Sequence, residues 1–427
     1  NVVDFDRLRL RKPTIVHDLP ANGRRLLQRA EGWRHTLVAG QETYHDGVAT
    51  EALPGRLIRG ATPAPTHGNP PGDPMSTIES SPLPSADDVA ELETHAGWTA
   101  GDVGDVEQWT IRLTEAHHAE LDSALAHARS VTDEVLDVTA DDFPLPTLAP
   151  LLHELTGELV NGRGFGRIAA LDVERLGAED ASWMYWGIGM HLGEPWPQNA
   201  KGHLLGDVRD QGKAPDDPTA RGNEIGGHPL GFHSDGSDLV GLLCIGAGVE
   251  GGESLVANAV GAHNALVRSR PDLAAALYRP LPYDFRGEQA DGGRPFYSVP
   301  AFSRHSGPTG DRLFVRYIRP FIEASQRHAD APRLTPLQIE AMDAYDAYVN
   351  DPDNRVEMAL RPGEIQFVNN YHVLHGRRRY VDDPDGGRVR WLKRLWLATD
   401  VLGPDDRPER FGRVGAMGHW GARRTRA

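Results

Sequence analysis

The stretch Val356-Glu-Met-Ala-Leu-Arg-Pro-Gly-Glu-Ile-Gln-Phe-Val-Asn369 predicts two short strands on either side of a tight turn. Arg361-Pro-Gly-Glu364 holds the Pro and Gly that favour a β-turn, and both flanks are rich in residues that pack in strands. Similar short runs of strand-forming residues occur on both sides of this stretch, from residue 228 onward. They span 230–233, 239–245, 253–257, 312–318 and 389–397. Many short strands without regular strand–helix alternation predict a mostly β, α+β fold with a double-stranded β-helix (jelly-roll) core.

Helical patterns precede and interrupt these strands. Apolar residues at helical spacing predict helices over 114–129, 146–159 and 179–192, which we expect on the outside of the strands. Two more are expected in the strand-rich half. One spans 260–278 with a break at Pro271, and the other spans 336–350, where Pro336 suits a first helical position.

Composition divides the 427 residues into three parts. Prolines crowd residues 53–84 among Gly, Ser and Thr, a composition that does not bury enough apolar surface to fold. We therefore expect 1–84 to be a largely disordered extension or linker. One domain is expected over 85–400, with a helical part at 85–200 and the jelly-roll core at 201–400. The Arg-rich segment 401–427 is expected to be a solvated or partner-facing tail.

Charge and cysteine content narrow the class of protein. The chain has 45 Lys and Arg against 61 Asp and Glu, a formal net charge of −16, which argues against a nucleic-acid partner. Cys244 is the single cysteine and lies in an apolar run, so we expect a buried thiol and no intrachain disulfide. No apolar run of membrane-spanning length and no secretory leader are visible. A cytoplasmic protein with a small-molecule substrate and no membrane contact is expected.

Two segments carry candidate metal ligands. In Phe232-His-Ser-Asp-Gly236, residues two apart share one face of a strand, so an imidazole and a carboxylate lie side by side. Asn369-Asn-Tyr-His-Val-Leu-His-Gly376 offers a second histidine, and its two candidates face opposite sides of a strand. Two histidines and one carboxylate form the facial triad of non-haem Fe(II) oxygenases, which leaves positions open for a cosubstrate and O2.

Arginines on the last predicted strand point to an anion. In Arg388-Val-Arg-Trp-Leu-Lys-Arg-Leu-Trp-Leu397, strand alternation places Arg390 and Arg394 on one face. An arginine that faces a core is costly unless it meets an anion, and its guanidinium group matches a carboxylate. The run Arg377–Arg379 is compatible with a solvated surface or with a local positive field that attracts a dianion.

Residues from about 160 to 397 resemble the taurine dioxygenase and clavaminate synthase family of Fe(II)- and 2-oxoglutarate-dependent oxygenases. The matching motifs are His233-Ser-Asp235, Gly251-Gly-Glu-Ser254, Pro362-Gly-Glu-Ile-Gln-Phe367, Asn369-Asn370, Leu374-His-Gly-Arg377 and Arg390 to Arg394. The resemblance implies His233, Asp235 and His375 as the catalytic iron ligands, and Arg390 and Ser254 as partners of the distal carboxylate of 2-oxoglutarate. O2 is the other cosubstrate that it implies.

Substrate contacts are expected nearby. Arg394 matches a position that binds an acidic substrate group in some members of that family. Gln198, Asn199 and Arg209 come just before the first metal-binding strand and are candidate substrate contacts. The retained Asp235 favours hydroxylation over halogenation, because halogenases of this chemistry replace that carboxylate with a small residue.

The expected reaction is hydroxylation of an unactivated C–H bond with release of succinate and CO2. The expected substrate is small and of anionic, amino-acid-like or natural-product type. Desaturation or cyclisation with the same cofactors is an alternative. A cupin-like metal hydrolase or isomerase is one rival, and it does not require Arg390 or Ser254. A non-catalytic binding protein is the other, and such a descendant is expected to have lost one of the three iron ligands, all of which are present here.

Overall fold

The computed structural model divides the chain into two compact units, Asn1–Glu79 and Ser80–Ala427. The structure describes residues 1–11, 14–19, 23–38, 41–50, 52, 89–92, 96–214, 217, 219–222, 224–289 and 292–408. Among these residues, no helix has both the length and the apolar character that crossing a membrane requires. The Pro-rich stretch 53–84 lies outside the described residues, as does the tail after residue 408.

Short antiparallel strands form in the first unit, which differs from the expected largely disordered extension. They are β1 (Val2–Val3), β2 (Arg9–Leu10), β3 (Thr14–Leu19), β4 (Gly23–Leu27), β5 (Ala30–Glu31), β6 (Trp33–Val38), β7 (Gln41–His45) and β8 (Val48–Ala49). One sheet has the order β1-β6-β7-β8, and β2–β5 and β3–β4 are separate pairs. Asp46 and Gly47, with φ of 45° and 76°, link β7 to β8. An Asp-Gly pair with positive φ is a strong hairpin signal, and composition alone overlooks it.

The second unit is a mixed α/β structure with many strands. Its described helices are α1 (Glu115–Val131), α2 (Leu148–Asn161), α3 (Val173–Met190), α4 (Ala259–Ser269), α5 (Pro271–Leu277), α6 (Arg319–Ser325) and α7 (Pro336–Val349). Its described strands are β9 (Thr110–Arg112), β10 (Phe165–Ala169), β11 (Glu194–Pro195), β12 (Leu205–Val208), β13 (Leu230–His233), β14 (Leu239–Ala247), β15 (Glu250–Gly251), β16 (Ser254–Asn258), β17 (Pro280–Asp284), β18 (Phe296–Pro300), β19 (Phe302–Gly307), β20 (Gly310–Val315), β21 (Arg355–Met358), β22 (Ile365–Asn369), β23 (Val373–Arg377), β24 (Tyr380–Val381) and β25 (Arg390–Ala398). The predicted helices and strands agree with described elements to within a few residues, except that α3 begins earlier. Helix α6 and several short strands, among them β11, β12, β19 and the β17–β18 hairpin, were not predicted.

Two sheets form the centre of this unit. The larger has the order β11-β25-β14-β22-β10-β9, with β12 also paired to β25, and the smaller has the order β13-β23-β16-β21. Side chains from both sheets meet in one buried apolar cluster, which includes Val240, Leu392 and Trp396 from the larger sheet and Val256 and Val373 from the smaller. The two sheets therefore pack face to face over a shared core.

Helices cover the other side of the larger sheet, as predicted. A second buried cluster joins side chains of α1, α2 and α3 to strand residues such as Leu243, Phe367 and Leu395. Trp183 and Trp186 of α3 lie in it as core residues. A third cluster packs α4, α5 and α7 against the β17–β18 and β19–β20 hairpins.

The turn at residues 361–364 carries the chain from the smaller sheet to the larger one, because β21 belongs to the first and β22 to the second. Gly363 has a φ of +84°, and a Cβ atom there would lie only 1.8 Å from the carbonyl oxygen of Leu171. Its own N–H donates to the carbonyl of Cys244 at 2.9 Å, and its carbonyl accepts from Leu171 N at 3.1 Å. Only glycine fits this position, because the backbone is left-handed and closely approached.

The expectation of a solvated tail is wrong for Arg407, which is buried. Its guanidinium group binds both carboxylate oxygens of Asp238, at 2.8 and 2.9 Å, and both residues are buried. Asp238 also accepts hydrogen bonds from Tyr371 Oη and from the main-chain N–H of Thr399. A buried carboxylate requires such partners, and Arg407 is the cation that the fold supplies.

Candidate active site

His233, Asp235 and His375 are brought together at the edge of the smaller sheet. His233 ends β13 and pairs directly with His375 of β23, while Asp235 lies two residues beyond the strand. The Nε2 atoms of His233 and His375 each lie 3.8 Å from a carboxylate oxygen of Asp235. One donor atom from each of the three residues falls within 4.8 Å of the others, a spacing that can hold a metal ion.

The carboxylate of Asp235 is held in place by the larger sheet. Trp396 Nε1 donates to its Oδ2 at 2.9 Å, and the side chain of Asn370 accepts from the Asp235 main-chain N–H at 3.0 Å. Arg316 donates to the carbonyls of Ser234 and Asp235 at 2.9 and 2.7 Å. Burial alone would raise the pKa of Asp235, but Arg394 and the two imidazoles outweigh it and hold that pKa well below its ordinary value. The residue is therefore an anionic donor.

Both imidazoles are suited to metal binding. Burial lowers the pKa of His233, and it lowers the pKa of His375 to about 3, so both rings are neutral near pH 7. The Nδ1 atom of His233 lies 2.9 Å from the carbonyl oxygen of Gly231, which fixes the ring and leaves Nε2 for a metal. Two neutral imidazoles and one carboxylate are the donor set that non-haem Fe(II) prefers, so the residues fit this metal.

Arg390 and Ser254 lie where β25 and β16 begin. Arg390 is buried, and its guanidinium group packs against Gly252, where a Cβ atom would lie 2.8 Å from Arg390 Nε. Gly252 of the Gly251-Gly-Glu-Ser254 motif thus makes room for the arginine. Ser254 is buried as well and donates to the side-chain oxygen of Gln366.

A second buried arginine, Arg377, completes this cationic cluster. It is the cross-strand partner of Ser254. Its guanidinium carbon lies 4.7 Å from the ring centre of Tyr380, and that of Arg390 lies 5.4 Å from the same ring. Burial, together with the neighbouring Arg377, lowers the pKa of Arg390 to about 10. In the part of the chain that the structure describes, no carboxylate lies within 4 Å of either guanidinium group.

Arg394 is placed beside the three candidate ligands. Its Nη1 atom lies 3.4 Å from Oδ2 of Asp235, and its Nε donates to the side-chain oxygen of Gln198 at 2.8 Å. Gln198 is buried, and its amide nitrogen donates to the carbonyls of Leu204 and Arg394. In place of the predicted substrate contact, Gln198 orients Arg394.

Two further predicted substrate contacts lie away from the site. The side chain of Asn199 pairs with His203 and accepts from main-chain N–H groups of its own loop. Arg209 is exposed, with its guanidinium carbon 5.3 Å from the ring centre of Trp391. Their place in the sequence before β13 does not indicate where the side chains point, and both side chains turn to the surface.

A cavity of about 260 Å³ opens beside the candidate ligands. It is lined by Arg221, Gly222, Ile225, Pro229, Leu230, Gly231, His233, Asp235, Gly236, Arg286, Arg316, Ile318, Pro320, Phe321, Arg394 and Trp396. Gln198, Asn199, Arg209, Arg390 and Ser254 are not among these residues. Its size suits a small molecule, and its walls combine apolar side chains with four arginines.

Sequence reasoning left the role of Arg377 open between a solvated surface and a positive field, and it missed other residues that shape the site. Arg377 follows His375 by two positions on one strand, so the alternation rule would have placed both on one face. Trp396 likewise follows Arg394 by two positions on β25. No sequence signal points to Arg221, Arg286 or Arg316, because the fold brings them in from separate segments.

The comparisons with known proteins agree with this geometry. The family model described as taurine catabolism dioxygenase TauD, TfdA family matches residues 128–396. The chain belongs to this family. Taurine dioxygenase family enzymes use Fe(II), 2-oxoglutarate and O2, so the chain is a 2-oxoglutarate-dependent dioxygenase. This assignment favours the oxygenase over the metal hydrolase and the binding protein.

Two relatives match this chain over most of their own length. FR-33289 synthase from Streptomyces rubellomurinus is 30% identical over 306 residues, which are 71% of this chain and 89% of that protein. A taurine hydroxylase-like protein from Stachybotrys chartarum is 24% identical over 323 residues, 74% of this chain and 81% of that protein. Among solved structures, an asparagine oxygenase in complex with Fe(II), 2S,3S-3-hydroxyasparagine and succinate shares the fold, with a TM-score of 0.53 and 18% identity over 68% of this chain and 93% of that chain.

Proposed function

We propose that this dioxygenase hydroxylates a C–H bond of a small anionic substrate, with Fe(II) held by His233, Asp235 and His375. The observation that carries the proposal is the meeting of three donor atoms within 4.8 Å, with two of the three residues, His233 and Asp235, lining a small cavity. We also propose that the two packed sheets are the halves of a double-stranded β-helix. With Fe(II) and 2-oxoglutarate bound, O2 would supply the oxidising power for C–H hydroxylation, and 2-oxoglutarate would be converted to succinate and CO2.

Separate residues of the chain are proposed to bind the cosubstrate. Arg390 and Ser254 bind the distal carboxylate of 2-oxoglutarate, and the buried Arg377 beside them adds a second positive charge. Support comes from the two buried guanidinium groups, which have no carboxylate within 4 Å among the described residues. Such charges are stable in a core only when they meet an anion. A bidentate carboxylate satisfies guanidinium geometry.

Hydroxylation is favoured by the carboxylate at position 235. Asp235 occupies a coordination position that a halide would need, and Trp396 and Asn370 hold it there. The asparagine oxygenase that shares the fold was solved with a hydroxylated amino acid and succinate. The apolar side chains of the cavity, Ile225, Ile318 and Phe321 among them, would exclude water from the reacting carbon.

The test is an anaerobic titration of the Fe(II) protein with 2-oxoglutarate. A weak absorption band is expected at roughly 500 nm, where bidentate keto-acid complexes of Fe(II) absorb. His375→Ala should abolish the band. His127→Ala, which changes an exposed histidine of α1, should leave it unchanged. If iron binds to the wild-type protein and no band forms, the proposed cosubstrate site is refuted.

Product analysis then separates hydroxylation from desaturation. Once a substrate stimulates succinate release, its product should gain one oxygen atom, with the label of ¹⁸O2 incorporated. A product two hydrogens lighter than the substrate would instead support desaturation or cyclisation.

A further inference from the structure

We propose that Arg221 and Arg286 form a second anion subsite in the cavity, one that binds a tetrahedral dianionic group of the substrate, a phosphonate or a phosphate monoester. The inference rests on the proposed function, because it names the substrate class that the same cavity takes. It concerns residues distinct from the metal ligands, from Arg394 and from the Arg390 cluster.

Arg286 is built to present its charge to the cavity. Its backbone has a φ of +56°, a conformation that is unfavourable for a residue with a side chain and that is retained where function requires it. Its Nη2 donates to the carbonyl of Ala220 at 2.8 Å, and its guanidinium carbon lies 5.2 Å from the ring centre of Phe321. Its Nε is buried without a hydrogen-bond partner among the described residues.

Arg221 enters the same cavity from the residue that follows Ala220. It donates from Nη1 to the carbonyl oxygen of Gln198 at 3.0 Å, and its guanidinium group lies 3.4 Å from a carboxylate oxygen of Glu288. The hydrogen bond from Arg286 to Ala220 therefore ties the two arginines to adjacent points of the backbone. Burial lowers the pKa of both, since a desolvated cation is less stable.

The charges that line the cavity do not balance. Arg221, Arg286, Arg316 and Arg394 are lining residues, and Asp235 is the one carboxylate among them. Arg394 already contacts Asp235, and Arg316 donates to main-chain carbonyls and to Tyr297 Oη. With Glu288 beside Arg221 and Asp235 beside Arg394, four arginines face two carboxylates, and the remaining positive charge is one that a substrate with more than one negative charge would neutralise.

The chemistry of the site favours a tetrahedral dianion over a carboxylate. A phosphonate or phosphate monoester presents three oxygens and up to two negative charges, enough acceptors for two guanidinium groups that arrive from different segments. A carboxylate has two oxygens and one charge. Ile225, Ile318 and Pro320 line the same cavity and suit a short carbon skeleton that leads from this subsite towards the metal ligands.

Binding of simple probes to the metal-free full chain tests the proposal, because no probe oxygen can then coordinate iron. Propylphosphonate and propyl phosphate, followed by ³¹P NMR titration and calorimetry, should bind at least about tenfold more tightly than butanoate and propanesulfonate. Preference for one of the first two identifies the source of the shared group. Equal or tighter binding of butanoate would overturn the subsite.

Matched variants locate the subsite. Arg286→Gln and Arg221→Gln should each weaken propylphosphonate binding about tenfold or more, whereas Arg209→Gln, an exposed arginine outside the cavity, should not. Unchanged affinity in both cavity variants would overturn the proposal. The 2-oxoglutarate absorption band should persist in all three variants, which shows that they fold.

The two proposals fail separately. A wild-type protein that forms the band but does not prefer phosphonate or phosphate refutes the subsite and leaves the hydroxylase. A wild-type protein that binds propylphosphonate through Arg286 but forms no band with bound Fe(II) supports the subsite and refutes the proposed cosubstrate site.

Discussion

Arg394 lies with its Nη1 atom 3.4 Å from Oδ2 of Asp235, so a cation contacts the carboxylate that is proposed to bind iron. Gln198 fixes this contact from the other side by accepting from Arg394 Nε at 2.8 Å. The arginine stabilises the anionic form of Asp235 and competes electrostatically with a metal ion at the same carboxylate. Metal affinity should therefore depend on this residue.

Removing that cation should tighten metal binding. We expect Arg394→Gln to increase the affinity for Co(II) about tenfold, because a repulsion of about 1.5 kcal/mol between a divalent ion and a guanidinium group about 5 Å away is lost even in a watery medium. Calorimetric titration of the metal-free protein measures this. Arg209→Gln is the control, since Arg209 is exposed. A weaker Co(II) affinity in Arg394→Gln would contradict the electrostatic account.

Arg377 should contribute to binding of 2-oxoglutarate. We expect Arg377→Gln to raise the KM for 2-oxoglutarate about 10- to 100-fold, since a charge-assisted hydrogen bond contributes about 1.5–3 kcal/mol. Arg378→Gln is the matched control: the neighbouring side chain is exposed and pairs with Glu357. Steady-state succinate release at varied 2-oxoglutarate gives both values. If the two variants have the same KM, Arg377 has a structural role only.

Acid should destabilise the second unit through His263. This buried ring lies 2.9 Å from both Asn264 Oδ1 and Tyr278 Oη, and burial lowers its pKa from 6.5 to about 4. A lowered histidine pKa gives stability that is complete above the unfolded value and is lost as the pH falls towards the folded one. Between pH 7 and pH 5 we expect this group alone to cost about 2 kcal/mol.

Urea unfolding at the two pH values isolates that effect. His263→Gln should lose about 2 kcal/mol less than the wild-type protein between pH 7 and pH 5, whatever its stability at pH 7. His127→Gln, a change at an exposed position, should keep the wild-type pH dependence. An identical pH dependence in His263→Gln would show that other groups cause the loss.

Substitution of Gly363, in the turn between the two sheets, should strongly reduce the stability of the protein. Gly363→Ala forces a methyl group against the carbonyl of Leu171 and should reduce the free energy of unfolding by about 3 kcal/mol or more. Gly387→Ala has a similar φ of +73° with nothing within 4 Å of its Cβ, so it should cost only the backbone strain of about 1–2 kcal/mol. Chemical denaturation compares the two. Equal losses would exclude the close contact as the cause.

The sequence predicted those parts of the site that depend on local alternation. His233 and Asp235 are two residues apart, so the alternation rule places them side by side. His372 and His375 face opposite sides of a strand, and the resemblance to the oxygenase family selected His375, which meets the other two in the structure. Helix α1 was predicted from the helical spacing of its apolar residues, and α7 was predicted with Pro336 at its first position.

Contacts between distant segments could not be predicted in this way. Gln198 and Arg394 are separated by 196 positions, and only the pairing of β12 with β25 brings them together. Arg407 was read as solvated because its partner, Asp238, lies 169 positions earlier. The strands of residues 1–49 were overlooked because short hairpins depend on turn residues such as Asp46 and Gly47, and average composition does not register them.

The Asp238–Arg407 pair gives the segment after β25 a role in the architecture of the metal-binding loops. Asp238 follows Asp235 by three residues, and Tyr371, which donates to it, precedes His375 by four. One carboxylate thus joins the C-terminal segment to the loop that carries Asp235 and to the loop that precedes β23, the strand of His375. Shortening the chain before residue 407 would strip a buried anion of its counter-ion next to the reaction centre. The last part of the described chain therefore stabilises the segments next to the candidate ligands, and affinity tags or fusions are best attached after it.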